Sequence, residues 1–371
     1  MREASSARTP LIPAPSLYAA RERGGWVVHE ARSGAKLPLS PLLEACLAAF
    51  DGGRTRAAAL RTLDAWPRSA VSTLIAVLVD LRILVPARDA QDGWHQWHGV
   101  AQWFHYATRD MPVRPRSTPR PPPPPAVLRR KAEVTVALPV PVLEGALRAA
   151  LVARRTWRQL ADAPLSLEHV GTLLGATFGI QRWADAPAAG WSALKTSPSG
   201  GARHSLEAYV CVRRVTGVPA GLYHYRADLH RLDLIRRRCS ARDIGRFLPG
   251  QDGYRVAPVV VVMSSVLARV AWRYSHARAY RVVLMESGHL AQTFALVATV
   301  LGLASFSTGA LADTTLEEAF GLTPAESPVV YAVGAAHRPP GVSWAPYAAA
   351  GAPRQRLTRL GRQLAGGRDG G

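Results

Sequence analysis

The stretch Ser197-Pro-Ser-Gly-Gly-Ala-Arg-His-Ser-Leu-Glu-Ala-Tyr-Val-Cys-Val212 decides how the chain is read. A proline and two glycines supply backbone that can approach a ligand with no Cβ in the way. Ser199 and Arg203 add a hydroxyl and a guanidinium beside that bare backbone. Residues 208–212 then read as a strand, so the donors stand at the end of a rigid element. Taken alone, the stretch reads equally as a ligand cradle or as an ordinary turn into an edge strand, because short Gly/Ser motifs recur in both.

C-terminal to it, Gly221-Leu-Tyr-His-Tyr225 and Arg231-Leu-Asp-Leu-Ile235 read as a hairpin, in which Tyr223, His224 and Tyr225 serve the sheet. Residues 257–263 form an uninterrupted apolar run of the kind found in strands buried on both faces. Residues 282–303 are apolar around most of a helical circumference, as at a core or a dimer seam. Glu286, His289 and Gln292 interrupt that run, which argues against a membrane span. Val329-Val-Tyr-Ala-Val-Gly-Ala-Ala-His-Arg338 reads as a last strand ending in a basic pair.

N-terminal to it, a helix over 140–151 delivers Arg154-Arg-Thr-Trp-Arg158. Guanidiniums so close together repel unless they face solvent or an anion, and a phosphate answers them with charge-assisted bonds. Residues 162–166 cap a further helix carrying Val170, Leu173, Leu174 and Phe178, and 181–195 read as a surface segment. Five consecutive prolines from Pro121, within an arginine-rich run, mark an extended connector and the clearest domain boundary. Ahead of it lies a Trp-rich segment. Its His95 and His98 lack a carboxylate or cysteine at ligand spacing and read as partners of the aromatics.

At the start of the chain, Trp26–Glu30 and Leu37–Leu39 suit a small hairpin. Ser40 with Pro41 opens a helix, Thr55 a second, and a third runs from about Ser69 to a strand-like exit at 83–85. The expected organisation is a disordered segment 1–15, a small winged-helix-like unit 16–88, the Trp-rich segment and linker 89–130, an α+β domain 131–345 and a disordered tail 346–371.

The totals bound the function. The 371 residues carry a formal net charge of +20, yet lysine occurs only as Lys36, Lys131 and Lys195. So strong a bias toward arginine reads partly as coding composition. No basic helix or known module points to nucleic acid. An acidic partner stays open. Cys46, Cys211 and Cys239 are odd in number and far apart, so neither a disulfide frame nor a metal site is expected. MREASSARTPLIPAP has no apolar signal core. A cytoplasmic protein without membrane partners is expected.

From Val152 to Arg338 the chain resembles the nitroreductase superfamily of flavoproteins, and within it the SagB-type peptide dehydrogenases, or thiazole/oxazole-forming oxidoreductases. The resembling elements are Arg154–Arg158, Pro198–His204, Gly221–Tyr225, Tyr280-Arg281, Glu286–Gln292, Leu301–Leu303 and Tyr331–Gly334, in family order. Phe50-Asp-Gly-Gly-Arg-Thr55 and Leu81–Leu84 make the N-terminal unit similar to PqqD-like modules that recognise the leader of a ribosomal precursor peptide. Such modules bind the leader as an added strand.

The resemblance implies an FMN-dependent nitroreductase-like fold with the flavin at a two-fold dimer interface. Arg154, Arg155, Thr156 and Arg158 would hold the phosphate and ribityl chain. Pro198, Ser199, Gly200 and Arg203 would line the isoalloxazine, Thr308 and Gly309 would approach its N5 side, and Arg338 would return to the phosphate. It implies oxidation of a peptide thiazoline or oxazoline to the azole, with a cyclodehydratase or other maturation enzyme as partner. The family carries Lys-Tyr where this chain has Arg273-Tyr274. Arginine stays protonated at neutral pH and cannot serve as a base, so Tyr274 beside Arg273 is the candidate proton-handling residue. Two other readings remain at this stage: an NAD(P)H-dependent nitroreductase or ene-reductase of small molecules, and a largely non-catalytic peptide-binding subunit.

Overall fold

A computed structural model of the chain describes residues 9–90, 93, 94, 97, 99–110, 145–186 and 190–341. The first unit contains β1 (Leu11–Pro13), β2 (Leu17–Glu22), β3 (Gly25–Glu30), β4 (Lys36–Pro38), α1 (Pro41–Ala49), α2 (Arg56–Thr62), α3 (Arg68–Asp80) and β5 (Leu84–Pro86). Both expected caps form: Ser40 Oγ accepts from Leu43 N at 3.2 Å and Thr55 Oγ1 from Ala58 N at 3.3 Å. Each satisfies one of the amides that open a helix. Strands β2, β3 and β4 make an antiparallel sheet in that order, one strand more than the expected hairpin. Residues 11–13, expected to be disordered, instead pair with β5 and bury Leu11. Their partner strand is distant in sequence, so local composition did not reveal it.

Next come α4 (Gly99–Thr108), α5 (Gly145–Ala153), α6 (Leu167–Phe178), β6 (Arg182–Ala186) and β7 (Gly190–Leu194). β6 and β7 pair as a hairpin where a surface segment was expected. The remaining elements are β8 (Leu206–Val212), β9 (Gly221–Arg226), β10 (Arg231–Arg237), α7 (Ala241–Phe247), β11 (Val259–Ser265), α8 (Leu267–Ala271), α9 (Ala279–Val300), β12 (Leu303–Thr308), α10 (Asp313–Phe320) and β13 (Val329–His337). Helix α9 starts and ends three residues earlier than the apolar run suggests.

Strands β8–β13 form one antiparallel sheet, ordered β10-β9-β8-β11-β13-β12. Central β11 is buried throughout, as its apolar run requires. Its side chains alternate between two cores: Val259, Val261 and Met263 meet α6 and α9 on one face, Val260 and Val262 meet α7 and α10 on the other. Each buried valine or methionine contributes about 1.5–3 kcal/mol. A charge at Val261 would break this layer first.

Trp94, Trp97 and Tyr106, from the Trp-rich segment ahead of the linker, pack into the α9 core. Trp94 Nε1 donates to Pro324 O at 3.3 Å, and His105 Nδ1 lies 2.7 Å from Tyr280 Oη. Burial drives the His105 imidazole down to about 3, so it is neutral there. His95, His98, the proline run and residues 346–371 lie outside the described residues. Among those described, no helix is long and apolar enough to cross a membrane.

Candidate functional site

The glycine-rich loop before β8 is tied to α9 by a buried carboxylate. Glu286 is 2% exposed and accepts from Ser199 Oγ (2.7 Å), Ser205 N (3.4 Å), Ser205 Oγ (3.3 Å) and Leu206 N (3.2 Å). Ser199 Oγ also accepts from His204 N at 2.9 Å, so its single proton is committed inside the chain. His289 Nδ1 donates to Pro198 O at 3.0 Å, and Ser197 Oγ meets Thr293 Oγ1 at 2.6 Å. The loop carries left-handed backbone at Gly201 (φ 61°), Ala202 (φ 53°) and His204 (φ 42°). For the two non-glycines this is a strained conformation, sustained by the surrounding bonds.

Gly200 and Gly201 form a bare platform with Arg273 and Tyr274 against it. A Cβ on Gly200 would lie 2.3 Å from Val282 Cγ1, and one on Gly201 would lie 3.3 Å from Tyr274 Oη and 3.2 Å from Arg273 Cγ. The Arg273 guanidinium sits 5.9 Å from the Tyr274 ring centroid. Arg203 folds back, donating to Gly201 O (2.7 Å) and Ser192 Oγ (3.0 Å), 4.8 Å over the Trp272 ring. Sequence spacing had brought Pro198, Ser199, Gly200 and Arg203 together with Arg273 and Tyr274 only through resemblance; here they are neighbours.

A second constellation forms around Arg154. Thr156 makes a parallel bridge to Ser305, and Trp157 N donates to Ser305 O at 2.9 Å. The resulting cleft, about 180 Å³, is lined by Arg154, Thr156, Gln292, Ser305 and Ser307, with Gly288 on α9 leaving its wall open. The Arg154 side chain has no hydrogen-bond partner among the described residues. Arg155 turns to Val152 O (2.6 Å) and Arg154 O (2.5 Å), and burial, then Arg154, hold its pKa below the usual guanidinium range. Arg158 donates to Tyr254 Oη at 2.9 Å, and Tyr254 stacks on Phe306 at 3.7 Å. Arg338 caps the end of α9 through Leu303 O (3.3 Å) and Thr299 O (3.4 Å), 5.5 Å over Trp157. Thr308 Oγ1 accepts from Ala310 N at 3.0 Å, and Gly309 faces Tyr331. Of the four arginines assigned to the phosphate end, Arg154 alone is uncommitted, and the others brace the cleft.

Among the described residues these two constellations meet different faces of α9. Val282, Glu286, His289 and Thr293 meet the glycine loop, whereas Gly288, Ala291, Gln292 and Ala295 line the Arg154 cleft. At 3.6 residues per turn these faces of α9 are about 140° apart. Within one chain the two sets of residues therefore lie on different sides of that helix. In the sequence Glu286 and Gln292 stand out as polar interruptions of an apolar run and as the two ends of one resembling element. Trp97, whose aromatic surroundings signal only that its segment packs, donates from Nε1 to Tyr274 O at 3.0 Å. Among the described residues no cluster of His, Cys, Asp or Glu could hold a metal.

Comparison with known proteins centres on the part of the chain that carries the six-stranded sheet, and one match extends beyond it. The profile of the nitroreductase family matches residues 151–335. A putative nitroreductase of Methanocaldococcus jannaschii is 33% identical over 168 residues, 45% of this chain and 80% of that protein. The trifolitoxin-processing protein TfxB of Rhizobium leguminosarum bv. trifolii is 30% identical over 165 residues, 43% of this chain and 44% of the relative. The trifolitoxin operon protein TfxC of the same organism is 24% identical over 293 residues, 70% of this chain and 81% of the relative.

Proposed function

The chain belongs to the nitroreductase family, and we propose that it is an FMN-dependent dehydrogenase of peptides that converts a thiazoline or oxazoline ring to the azole. The observation that carries this reading is the Tyr274 hydroxyl poised with Arg273 over the Gly200–Gly201 platform. Similarity to a trifolitoxin-processing protein supports a peptide as the substrate.

The residues present fit the flavin. Arg154 offers an uncommitted cation, and Thr156, Ser305, Ser307 and Gln292 surround it with hydrogen-bonding groups suited to a phosphate and a polyol chain. Arg155, Arg158 and Arg338 act on that end by bracing the segment. Pro198, Gly200 and Gly201 belong to the loop proposed to flank the flat ring, the two glycines letting Val282, Arg273 and Tyr274 close onto it. Thr308 and Gly309, which follow the cleft-lining Ser307, are proposed to approach the ring's N5 side. The cleft's 180 Å³ is below the roughly 300 Å³ at which small-molecule pockets begin. A homodimer meets the deficit, one chain contributing the Arg154 cleft and its partner the glycine platform with Tyr274. Leu284, Met285 and Val300 on α9 are exposed apolar residues available for that seam.

Bound FMN supplies the two-electron acceptor. Arg273, permanently cationic, polarises the neighbouring phenol and stabilises negative charge developing on the ring being oxidised. Tyr274 receives or relays the proton. The N-terminal unit reads as a winged-helix, PqqD-like module, whose sheet ends in β2 and β4, strands without a further partner strand among the described residues, where a precursor's leader can add. A cyclodehydratase or another maturation enzyme is the expected partner in the cytoplasm.

The test is purification with flavin stoichiometry, followed by mass spectrometry of an azoline-bearing peptide. Loss of two hydrogens per ring is expected. Rapid NADPH-driven flavin reduction without that loss would favour a small-molecule reductase, the reading that similarity to the M. jannaschii protein supports. Protein that FMN cannot reconstitute would overturn both enzymatic readings and leave a peptide-binding subunit.

A further inference from the structure

A separate cavity of about 950 Å³ opens beside the glycine loop, between β7, β8, β9 and α8. Four basic side chains line it, Lys195, Arg203, Arg226 and Arg269, against two carboxylates, Glu207 and Asp228. Basic groups outnumber acidic ones by two. The guanidiniums are already engaged. Arg269 donates to Glu207 at 2.5 Å, where His224 also bonds at 3.0 Å; Arg226 holds Asp228 at 2.7 and 2.9 Å; Arg203 is bound to Gly201 O and Ser192 Oγ.

Lys195 is the exception. It makes no hydrogen bond or ion pair with any described residue, while Glu207 and Glu286 act on it only through space. Burial is the main cause holding its pKa below the usual lysine range, so an anion bonded to it would relieve that penalty. His204 is pushed down to about 4 by burial and by Lys195 and Arg203, and adds no charge at neutral pH. At the rim Trp183 and Trp272 are 53% and 58% exposed, giving flat apolar surface beside the cationic floor.

We propose that this cavity binds a carboxylate carried on a peptide, with Lys195 as its counter-ion and Trp183 and Trp272 flanking the adjoining residues. A phosphate would call on guanidiniums in bidentate pairs, and those are committed; a single ammonium matches one carboxylate. The volume exceeds what a free small acid fills, and Arg203 and Trp272 join the cavity to the Arg273–Tyr274 platform. The choice of a peptide rests on the proposed function, whereas binding requires neither flavin nor turnover.

With only three lysines in the chain, reductive ¹³C-dimethylation of the full-length protein gives a lysine spectrum in which Lys195→Arg assigns the Lys195 signal. Three probes are titrated into the low-millimolar range, where one ion pair with modest flanking contact is measurable. They are N-acetyl-Gly-Asp-Gly-amide (a side-chain carboxylate), N-acetyl-Gly-Asn-Gly (a terminal carboxylate) and N-acetyl-Gly-Asn-Gly-amide (neither). The Lys195 signal is expected to shift saturably with one or both acids and to stay put with the neutral peptide, with Lys36 and Lys131 unmoved. Which acid acts identifies a side-chain or a chain-terminal ligand. Lys195→Met, checked for an unchanged melting point, should weaken calorimetric binding at least tenfold. An unmoved Lys195 signal, equal shifts with the neutral peptide, or a Lys195 signal that saturates at lower concentrations of inorganic phosphate than of either acid would overturn the proposal. Binding without azoline oxidation would overturn the proposed function and leave this site standing.

Discussion

The indole N–H of Trp97 donates to the main-chain carbonyl of Tyr274 at 3.0 Å, joining positions 177 residues apart. A segment lying before the proline-rich run thus fixes the backbone of the proposed proton-handling residue. Trp97 is 4% exposed, so the bond is shielded from water. Trp97→Phe keeps an aromatic ring and removes the donor, at a cost of about 1 kcal/mol. Azoline turnover is expected to fall about tenfold, equivalent to 1.4 kcal/mol of barrier, with flavin content retained. Unchanged kcat would detach Trp97 from the site.

Tyr274→Phe removes only the hydroxyl over Gly201. Loss of a positioned proton-transfer group lowers turnover by about 10²–10⁴-fold. Flavin stoichiometry and KM should change little, since the ring and its packing remain. Wild-type kcat in this variant would exclude Tyr274 from the chemistry.

Gly200 abuts Val282 so closely that any side chain collides there. Gly200→Ala should displace the platform, lower the melting temperature and sharply reduce turnover; inserting a methyl into a packed site costs about 1–3 kcal/mol. Val282→Ala removes the obstructing methyl groups. The double variant Gly200→Ala/Val282→Ala is therefore expected to recover part of the stability and activity, and absence of any recovery would show that the glycine is required for another reason.

Arg109 pairs with Glu317, and Asp110 and Asp313 border the same cluster. Burial raises the Glu317 carboxyl to about 7, with Arg109 opposing. A carboxyl whose folded pKa is raised binds more protons folded than unfolded, so its contribution to stability falls as pH rises from about 4.5 to 7. Above that range Glu317 is ionised and depends on Arg109. Arg109→Met should consequently destabilise the fold more at pH 8 than at pH 5 in thermal melts. An equal loss at both pH values would mean that Arg109 contributes by packing alone.

What the sequence made legible was local or periodic. Ser40, Thr55 and Ser166 cap helices within reach of their own neighbours, and the Val259–Met263 run identifies a doubly buried strand from composition alone. Leu11–Pro13 and the Trp97 bond were not legible, because their partners come from distant parts of the chain. The division of the site was hidden for a different reason. Residues 286, 288, 289 and 292 are adjacent in the sequence, and helical rotation alone sends Glu286 and His289 one way and Gly288 and Gln292 the other. Lys195 reads as an ordinary surface lysine until β8, β9 and α8 close around it.

The two faces of α9 also make the protein's centres genetically separable. In the proposed dimer, an Arg154→Ala homodimer and a Tyr274→Phe homodimer each lose both centres. A mixed dimer concentrates both defects in one centre and rebuilds the other intact. Two inactive preparations, unfolded together and refolded, should therefore regain activity that neither possesses, approaching one quarter of wild type if subunits pair at random. Had both constellations belonged to one chain's cavity, no mixture could restore anything.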